Sequence, residues 1–394
     1  MGLRIAIFTD SYLPYNSGVV HSIEVLHREV SLMGHQVFIF APRYPNYIDN
    51  EENVFRFISV PPPTNPDYYL AIPFSRHLKA TLKEIQPDVI HVHHPFGLGW
   101  LGLSAARQLG IPLVYTFHTL YEYYSHYLPI PRRMARLLIR KICANFSNRC
   151  NVIIAPTTAT AEYMRQLGVT KPLQVIPTGI KTEEFMTGET GWLRRRYDIK
   201  PREKILLCVG RLGPEKNIAF LLECFAEIVN DFPETRLVLV GKGPQEKELK
   251  RLAQQLTVQD KVTFTGLLTR AEVYKCYLDA DIFVFASISE TQGLVIPEAK
   301  FAGLPVVAVR ANGVSEMVQD GVDGFLTDLS KEIFSEKIKL LLQNEKLREE
   351  MGRNALQNAN KFSARNYALN ILKVYSLFYT IFLYCCFNNL LLHT

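Results

Sequence analysis

The sequence predicts an α/β chain of two doubly wound, Rossmann-like domains facing across a cleft. Three observations carry that expectation. Short runs of near-continuous apolar residues recur along the chain, the pattern of parallel strands covered on both faces. Helical patterns separate the runs, as parallel crossovers require. The series then restarts after a polar stretch ending in Arg194, Arg195 and Arg196, and 394 residues suit two domains better than one.

The first set of runs is IAIF at 5–8, VFIFA at 37–41, DVIHVH at 88–93, LVYTF at 113–117 and VIIAP at 152–156. An amphipathic pattern from about Val20 to Met33 reads as the first helix. The second set is ILLCVG at 205–210, RLVLVG at 236–241, IFVFA at 282–286 and PVVAV at 305–309. The boundary falls within 178–200, giving a first domain of 1–180, a second of 181–360 and a closing segment of 361–394.

Composition narrows the function. Hydrophobic residues are 48% and charged residues 21%, ordinary for a globular protein. A net charge of +6 with no recognisable DNA- or RNA-binding motif argues against a nucleic-acid partner. Cys143, Cys150, Cys208, Cys224, Cys276, Cys385 and Cys386 form no CxxC pair and sit largely in apolar runs, as reduced thiols of a cytoplasmic protein do. The amino terminus runs directly into Arg4–Phe8, too short an apolar run for a signal peptide.

Doubly wound sheets place their chemistry where strands run into helices. Four segments stand there. In SISETQGLVIPEAKFAG, Glu290 and Glu298 flank Gly293 after a buried run. Amides at a helix start favour phosphate, and carboxylates accept hydrogen bonds from hydroxyls. Together they suit a ligand rich in both, such as a sugar nucleotide, although a glutamate pair alone is most often solvated surface. In VGRLGPEKN, Arg211 and Lys216 offer a guanidinium fork and a point charge to a diphosphate; the plainer reading is a basic loop. Gly18 follows the first strand near a helix start, where the plainer reading is a turn glycine. His118 follows the fourth run beside Tyr121, Tyr123, Tyr124 and His126, which read as a pocket wall.

Other motifs read as structural. Asp279-Ala280-Asp281 resembles a metal-binding DxD but precedes a buried strand, so helix capping and strand entry are expected. His91, His93 and His94 have no accompanying ligand set, so they are expected to line the cleft or support it. Gly241-Lys242-Gly243-Pro244 reads as a glycine turn with no phosphate-loop fingerprint.

The Gly18 loop, VGRLGPEKN, GKGP and the E-x7-E of Glu290 and Glu298 together resemble the retaining glycosyltransferases of family 4, whose architecture is GT-B. The resemblance runs from Arg4 to about Tyr375. It implies that Arg211 and Lys216 hold the donor diphosphate and that Glu298 takes the ribose hydroxyls. Glu290 would face the transferred sugar, and amides around Gly293 and Leu294 would contact phosphate. Gly18 would add amides to the diphosphate, and His118 would sit at the anomeric centre. It implies no metal and no cofactor beyond a nucleotide-sugar co-substrate, and a last helix that crosses back onto the first domain. It also implies same-face attack, with the departing phosphate taking the acceptor proton.

FTDSYLPYNSGVVHSI, HVHHPFGLG, YTFHTLYEYYSHYLP and SETQGLVIPEA resemble the bacterial diacylglycerol glucosyltransferases more finely. That likeness implies UDP-glucose as donor and a lipid acceptor. Independently, PRRMARLLIRKICANFSNR interleaves Arg132, Arg133, Arg136, Arg140 and Lys141 with Met134, Leu137, Leu138 and Ile142. Such a helix suits an anionic membrane surface, and a peripheral position on the inner face of the cell membrane is expected. The alternative is a helix packed by its apolar stripe with its basic residues in water. The apolar tail from Val374 to Phe387 is short for a membrane span, and its role stays open. The alternatives are a mannosyl- or other hexosyltransferase acting on phosphatidylinositol, a polysaccharide or another soluble acceptor. From other classes come a sugar-nucleotide epimerase or phosphorylase of the same fold and a non-catalytic binding protein.

Overall fold

The structure is a computed structural model that describes residues 2–49, 53–62, 68–127, 130–186 and 189–391. Side chains at 124, 126, 127, 184, 186, 383 and from 385 onward lie outside that description, and with them the expectations for Tyr124, His126, Cys385 and Cys386. Contacts divide the chain into two compact units, Met1–Gly179 with Ala364–Thr394, and Ile180–Ser363.

The first unit alternates strands and helices. In order they are β1 (Arg4–Phe8), α1 (Gly18–Leu32), β2 (Gln36–Pro42), β3 (Val54–Phe57), β4 (Ser59–Val60), β5 (Leu70–Ala71) and α2 (Leu78–Ile85). Then come β6 (Val89–Val92), α3 (Gly97–Leu109), β7 (Leu113–Thr116), α4 (Arg132–Ser147), β8 (Val152–Ala155), α5 (Thr158–Gln166) and β9 (Leu173–Val175). The sheet order is β3-β2-β1-β6-β7-β8-β9, parallel throughout. Successive β1 side chains go to opposite faces: Ala6 and Phe8 join one core, Ile5 and Ile7 the other. Burial on both sides is why the run shows no polar alternation.

The second unit holds α6 (Glu183–Met186), α7 (Trp192–Arg196), β10 (Lys204–Val209), α8 (Ile218–Asp231), β11 (Thr235–Val240), α9 (Glu246–Gln255) and β12 (Val262–Gly266). It continues with α10 (Arg270–Asp279), β13 (Ile282–Phe285), α11 (Val295–Phe301), β14 (Val306–Val309), β15 (Gly324–Thr327), α12 (Lys331–Gln343) and α13 (Glu345–Ala359). Its parallel sheet runs β12-β11-β10-β13-β14-β15. The chain then enters α14 (Ala364–Leu391), which packs on α1 of the first unit through Tyr367, Ala368, Ile371 and Tyr375. Among the described residues no helix is long and apolar enough to cross a membrane.

In both sheets the strand order reverses where the first strand of the unit meets a later one, at β1–β6 and at β10–β13. Such switch points open a crevice at the carboxyl ends of the strands. The structure adds an element that the apolar runs did not show. Strands β4 and β5 form an antiparallel ribbon, with Ser59 opposite Ala71 and Val60 opposite Leu70. Both strands are two residues long, too short for periodicity to register.

Candidate active site

In the second unit, β10 and β13 lie side by side, so the loops leaving them meet. The β10 loop carries Arg211, exposed, and turns through Pro214–Lys216 before α8. The β13 loop carries Glu290. The Lys216 Nζ makes an ion pair with the Glu290 Oε1, and Ser287 Oγ donates to the same oxygen at 2.8 Å. Burial alone would raise the Glu290 carboxyl, but the Lys216 ammonium and the two hydrogen bonds outweigh it and hold it below the usual range. Glu290 is thus a carboxylate fixed against a cation. Gly293, at φ +80°, occupies the left-handed region, with the Glu290 Cγ 3.4 Å from where a Cβ would stand.

Glu298 sits at the start of α11. Its Oε2 accepts from the Tyr277 hydroxyl at 2.8 Å, and its Oε1 lies 3.9 Å from Arg270 Nη2. Leu294 is the residue that enters that helix. One residue past Ala299, Lys300 donates from a buried ammonium to Asp323 at 2.6 Å and to the Met317 carbonyl at 3.0 Å, pinning α11 to the segment before β15. The structure therefore brings Lys216 and Glu290 into contact and separates Glu298 into its own pocket of partners.

The GKGP turn, read from sequence as a plain turn, is part of this assembly. A Cβ at Gly241 would stand 2.1 Å from the Gly210 carbonyl oxygen, and one at Gly243 2.2 Å from that of Leu212. Leu212 donates to the Lys242 carbonyl at 3.0 Å, and Gln245 donates back to Leu212 at 3.1 Å. Backbone meets backbone, so glycine is required, and the turn fixes the loop that bears Arg211. Asp279 accepts from the backbone N–H of Gly191 and of Leu193, and Asp281 from that of Ile205 at 2.8 Å. These carboxylates cap α7 and seat β10, as helix capping and strand entry predict.

In the first unit, helix α1 begins at Gly18, two residues ahead of its expected start. The Ser17 side chain caps it by accepting from Val20 N–H at 3.3 Å. The amides of Gly18 and Val19 then lie in a first turn, where no preceding carbonyl is available. Arg56 braces the loop before this helix: its Nη2 donates to the Leu13 carbonyl at 2.8 Å.

The histidines form a buried array. His91 bonds Tyr375 through Nδ1 at 2.6 Å and Thr116 through Nε2 at 2.7 Å. His93 Nδ1 lies 2.8 Å from His118 Nε2, with the rings stacked. Burial, then neighbouring imidazoles, hold His118 and His93 well below the usual histidine range. His94 Nδ1 accepts from the Asp10 N–H at 3.1 Å. Asp10 is buried; its Oδ1 accepts from Leu98 N–H at 2.8 Å, and its Oδ2 has no hydrogen-bond partner among the described residues. Burial lifts this carboxyl to about 6 against the pull of that amide.

Sequence reasoning did not single out Asp10 as part of this array, nor Ser287, Tyr277 and Arg270 as partners of the glutamates; His93 was expected only to line or support the cleft. The period-two spacing of His91 and His93 was the available sign of the array. The pocket wall also needs correction. Tyr121 packs against Phe96 and Phe117, but Tyr123 is exposed.

The basic helix forms as α4. Its buried stripe is Ala135, Ile139, Cys143 and Phe146. The helix is thus packed by an apolar stripe with basic residues in water, as the alternative has it, but Met134, Leu137 and Leu138 lie outside that stripe, 61%, 61% and 48% exposed, and Ile142 is partly buried. Arg132, Arg133, Arg136 and Lys141 are exposed around them. Arg140 departs from its expected role as an outward cation: it pairs with Glu122 at 3.2 Å.

Residues 16–184 match the family model Glycosyltransferase Family 4, and residues 192–358 match Glycosyl transferases group 1. The chain is 35% identical over 331 residues to a Streptococcus pneumoniae protein named alpha-monoglucosyldiacylglycerol synthase, covering 82% of this chain and 75% of that one. An Acholeplasma laidlawii protein of the same name is 29% identical over 379 residues, covering 93% and 95%. Among solved structures, Anabaena HepE in complex with UDP-glucose superposes with a TM-score of 0.75 at 20% identity, over 94% of this chain and 99% of that one.

Proposed function

The chain belongs to glycosyltransferase family 4, as a retaining hexosyltransferase of the GT-B fold, and from that premise we propose that it moves glucose from UDP-glucose to the hydroxyl of a diacylglycerol. The reaction takes place at the inner, anionic face of the cell membrane. The observation that carries the lipid acceptor is α4, which leaves Met134, Leu137 and Leu138 exposed amid Arg132, Arg133, Arg136 and Lys141. Exposed apolar side chains ringed by cations suit the headgroup boundary of an anionic bilayer. The names of the two relatives point the same way. The five free cysteines among the described side chains, Cys143, Cys150, Cys208, Cys224 and Cys276, are all buried, which fits a reducing compartment.

In this reading the glucosyl C1–O bond breaks with its electron pair going to the diphosphate. The acceptor oxygen forms its bond to C1 on the same face, and its proton passes to the departing phosphate. Lys216 and Arg211 hold the diphosphate, with amides at Gly293 and Leu294 adding donors; in the first unit the first-turn amides at Gly18 offer donors to an anion. The cations meet the charge where it develops. Glu290, kept ionised by Lys216, orients the transferred sugar and stabilises positive charge on it. Glu298 receives the ribose hydroxyls; in the first unit His118, neutral through burial, is able to accept or donate a hydrogen bond to a sugar hydroxyl.

A screen of UDP-glucose, UDP-galactose and GDP-mannose against diacylglycerol vesicles tests the substrates. A glucolipid formed from UDP-glucose is expected. No lipid product with any donor would sink the acceptor assignment. Lys216→Ala is expected to fold and to lose roughly a hundredfold or more in turnover, the scale of removing one charge-stabilising donor. A folded, fully active variant would overturn the donor-site assignment.

A further inference from the structure

We propose that a cavity at the amino-terminal edge of the first unit's sheet is a second binding site, for an amphiphile with one anionic head and an alkyl chain. The cavity has a volume of about 610 Å³, within the range of small-molecule pockets. It lies beneath the starts of β1, β6 and β7, where Arg4, Asp88 and Pro112 line it. Parallel sheets carry their chemistry at the carboxyl edge, so this cavity is separate from Asp10, Gly18 and His118.

Its walls are apolar, with Leu82 from α2, Leu109 and Ile111 from the end of α3, and Phe382 from distal α14. Its charge is unbalanced. Arg4, Lys79 and Lys83 stand against Asp88. Asp88 is already engaged: it accepts from the Arg4 backbone N–H at 2.7 Å, lies 3.8 Å from Arg4 Nε, and bonds Tyr379. Lys79 and Lys83, one turn apart on α2, are exposed and have no ion pair among the described residues.

Two uncompensated ammonium groups beside an apolar wall select the ligand. The wall takes an alkyl chain out of water, and the lysines take a phosphate or carboxylate through charge-assisted hydrogen bonds. A neutral amphiphile leaves the charge unmet, and a bare phosphate leaves the wall wet. An anionic lipid of a bilayer and a free alkyl phosphate share this chemistry. The distal part of α14 also exposes Leu377, Ile381 and Tyr384. This gives a function to the apolar carboxyl-terminal run, whose Tyr379 and Phe382 help build the cavity.

Dodecyl phosphate below its micellar concentration, titrated calorimetrically into the full chain, tests the site. The expected result is saturable binding of one molecule per chain. Affinity should fall about tenfold or more in the Lys79→Glu/Lys83→Glu double variant and in Leu109→Trp, which fills the cavity. Dodecyl maltoside, neutral with the same chain, should bind at least about tenfold more weakly. Melting temperatures equal to the parent's would show that both variants fold. No saturable binding, equal binding of the neutral amphiphile, or unchanged binding by the double variant would overturn the site. Displacement by phosphatidylglycerol vesicles and not by phosphatidylcholine vesicles would assign the ligand to the bilayer. Binding without such displacement would assign it to a free amphiphile.

Discussion

Asp10 has an environment that its neighbours in sequence do not suggest. Its carboxyl is raised from 3.8 to about 6 by burial, so the folded state holds a proton that the unfolded chain has released. Between those values the native state binds more protons, and stability falls as pH rises, by about 1.4 kcal/mol per pH unit. Above about pH 6 the loss is complete, near 3 kcal/mol in total. Asp10→Asn removes this dependence. Denaturant unfolding of both proteins from pH 4 to 7 should show the parent losing stability relative to the variant across that window; parallel curves would mean that Asp10 does not titrate there. The segments that carry Lys216, Glu290 and Glu298 were legible in the sequence because each follows a buried apolar run. Asp10 was not, because its character comes from Leu98 and His94, more than 80 positions away.

Elements carry the next layer. The helical pattern of α4 was legible, but which of its apolar residues face inward was not. Ala135, Ile139, Cys143 and Phe146 form one stripe, and Met134, Leu137 and Leu138 another; only the packing of the first against the sheet decides between them. Replacing Met134, Leu137 and Leu138 together by Ser should abolish binding to anionic vesicles in a flotation assay and lower the melting temperature by no more than about 6 °C, since exposed sites change stability by at most about 0.5 kcal/mol each. Ile139→Ala should instead cost about 2–5 kcal/mol, because it opens a void in a packed core. Helix α11 offers a second case. Lys300 is buried and paired with Asp323, so Lys300→Met strands a carboxylate and should cost about 3–5 kcal/mol in chemical denaturation. An unchanged midpoint would show that α11 is held by packing alone. Nothing in KFAG announced this pair, since a lysine near the end of a short helix is ordinarily solvated.

At the scale of the whole molecule, the sheets were legible because parallel strands are apolar on both faces and so stand out from helices. The antiparallel ribbon of β4 and β5 was not, and neither was the depth to which α14 commits itself to the first unit. Tyr367, Ile371, Val374 and Tyr375 are each at most 7% exposed there, and Tyr375 also bonds His91 at 2.6 Å. Burying a large apolar side chain contributes about 1.5–3 kcal/mol. Four of them approach the ~5–15 kcal/mol by which a whole domain is stable. A chain ended after Ser363 should therefore lose the first unit's cooperative melting transition and aggregate. A chain ended after Ser376 keeps all four side chains and should melt within a few degrees of the parent: among the described side chains removed, Leu377, Ile381 and Tyr384 are 52%, 47% and 69% exposed, and Phe378, Tyr379 and Phe382 are only partly buried. Scanning calorimetry of the two truncations separates the roles of the helix. If the shorter chain melts like the parent, α14 is an appendage; if the longer one fails to fold, the run beyond Ser376 is core and not a surface built for lipid.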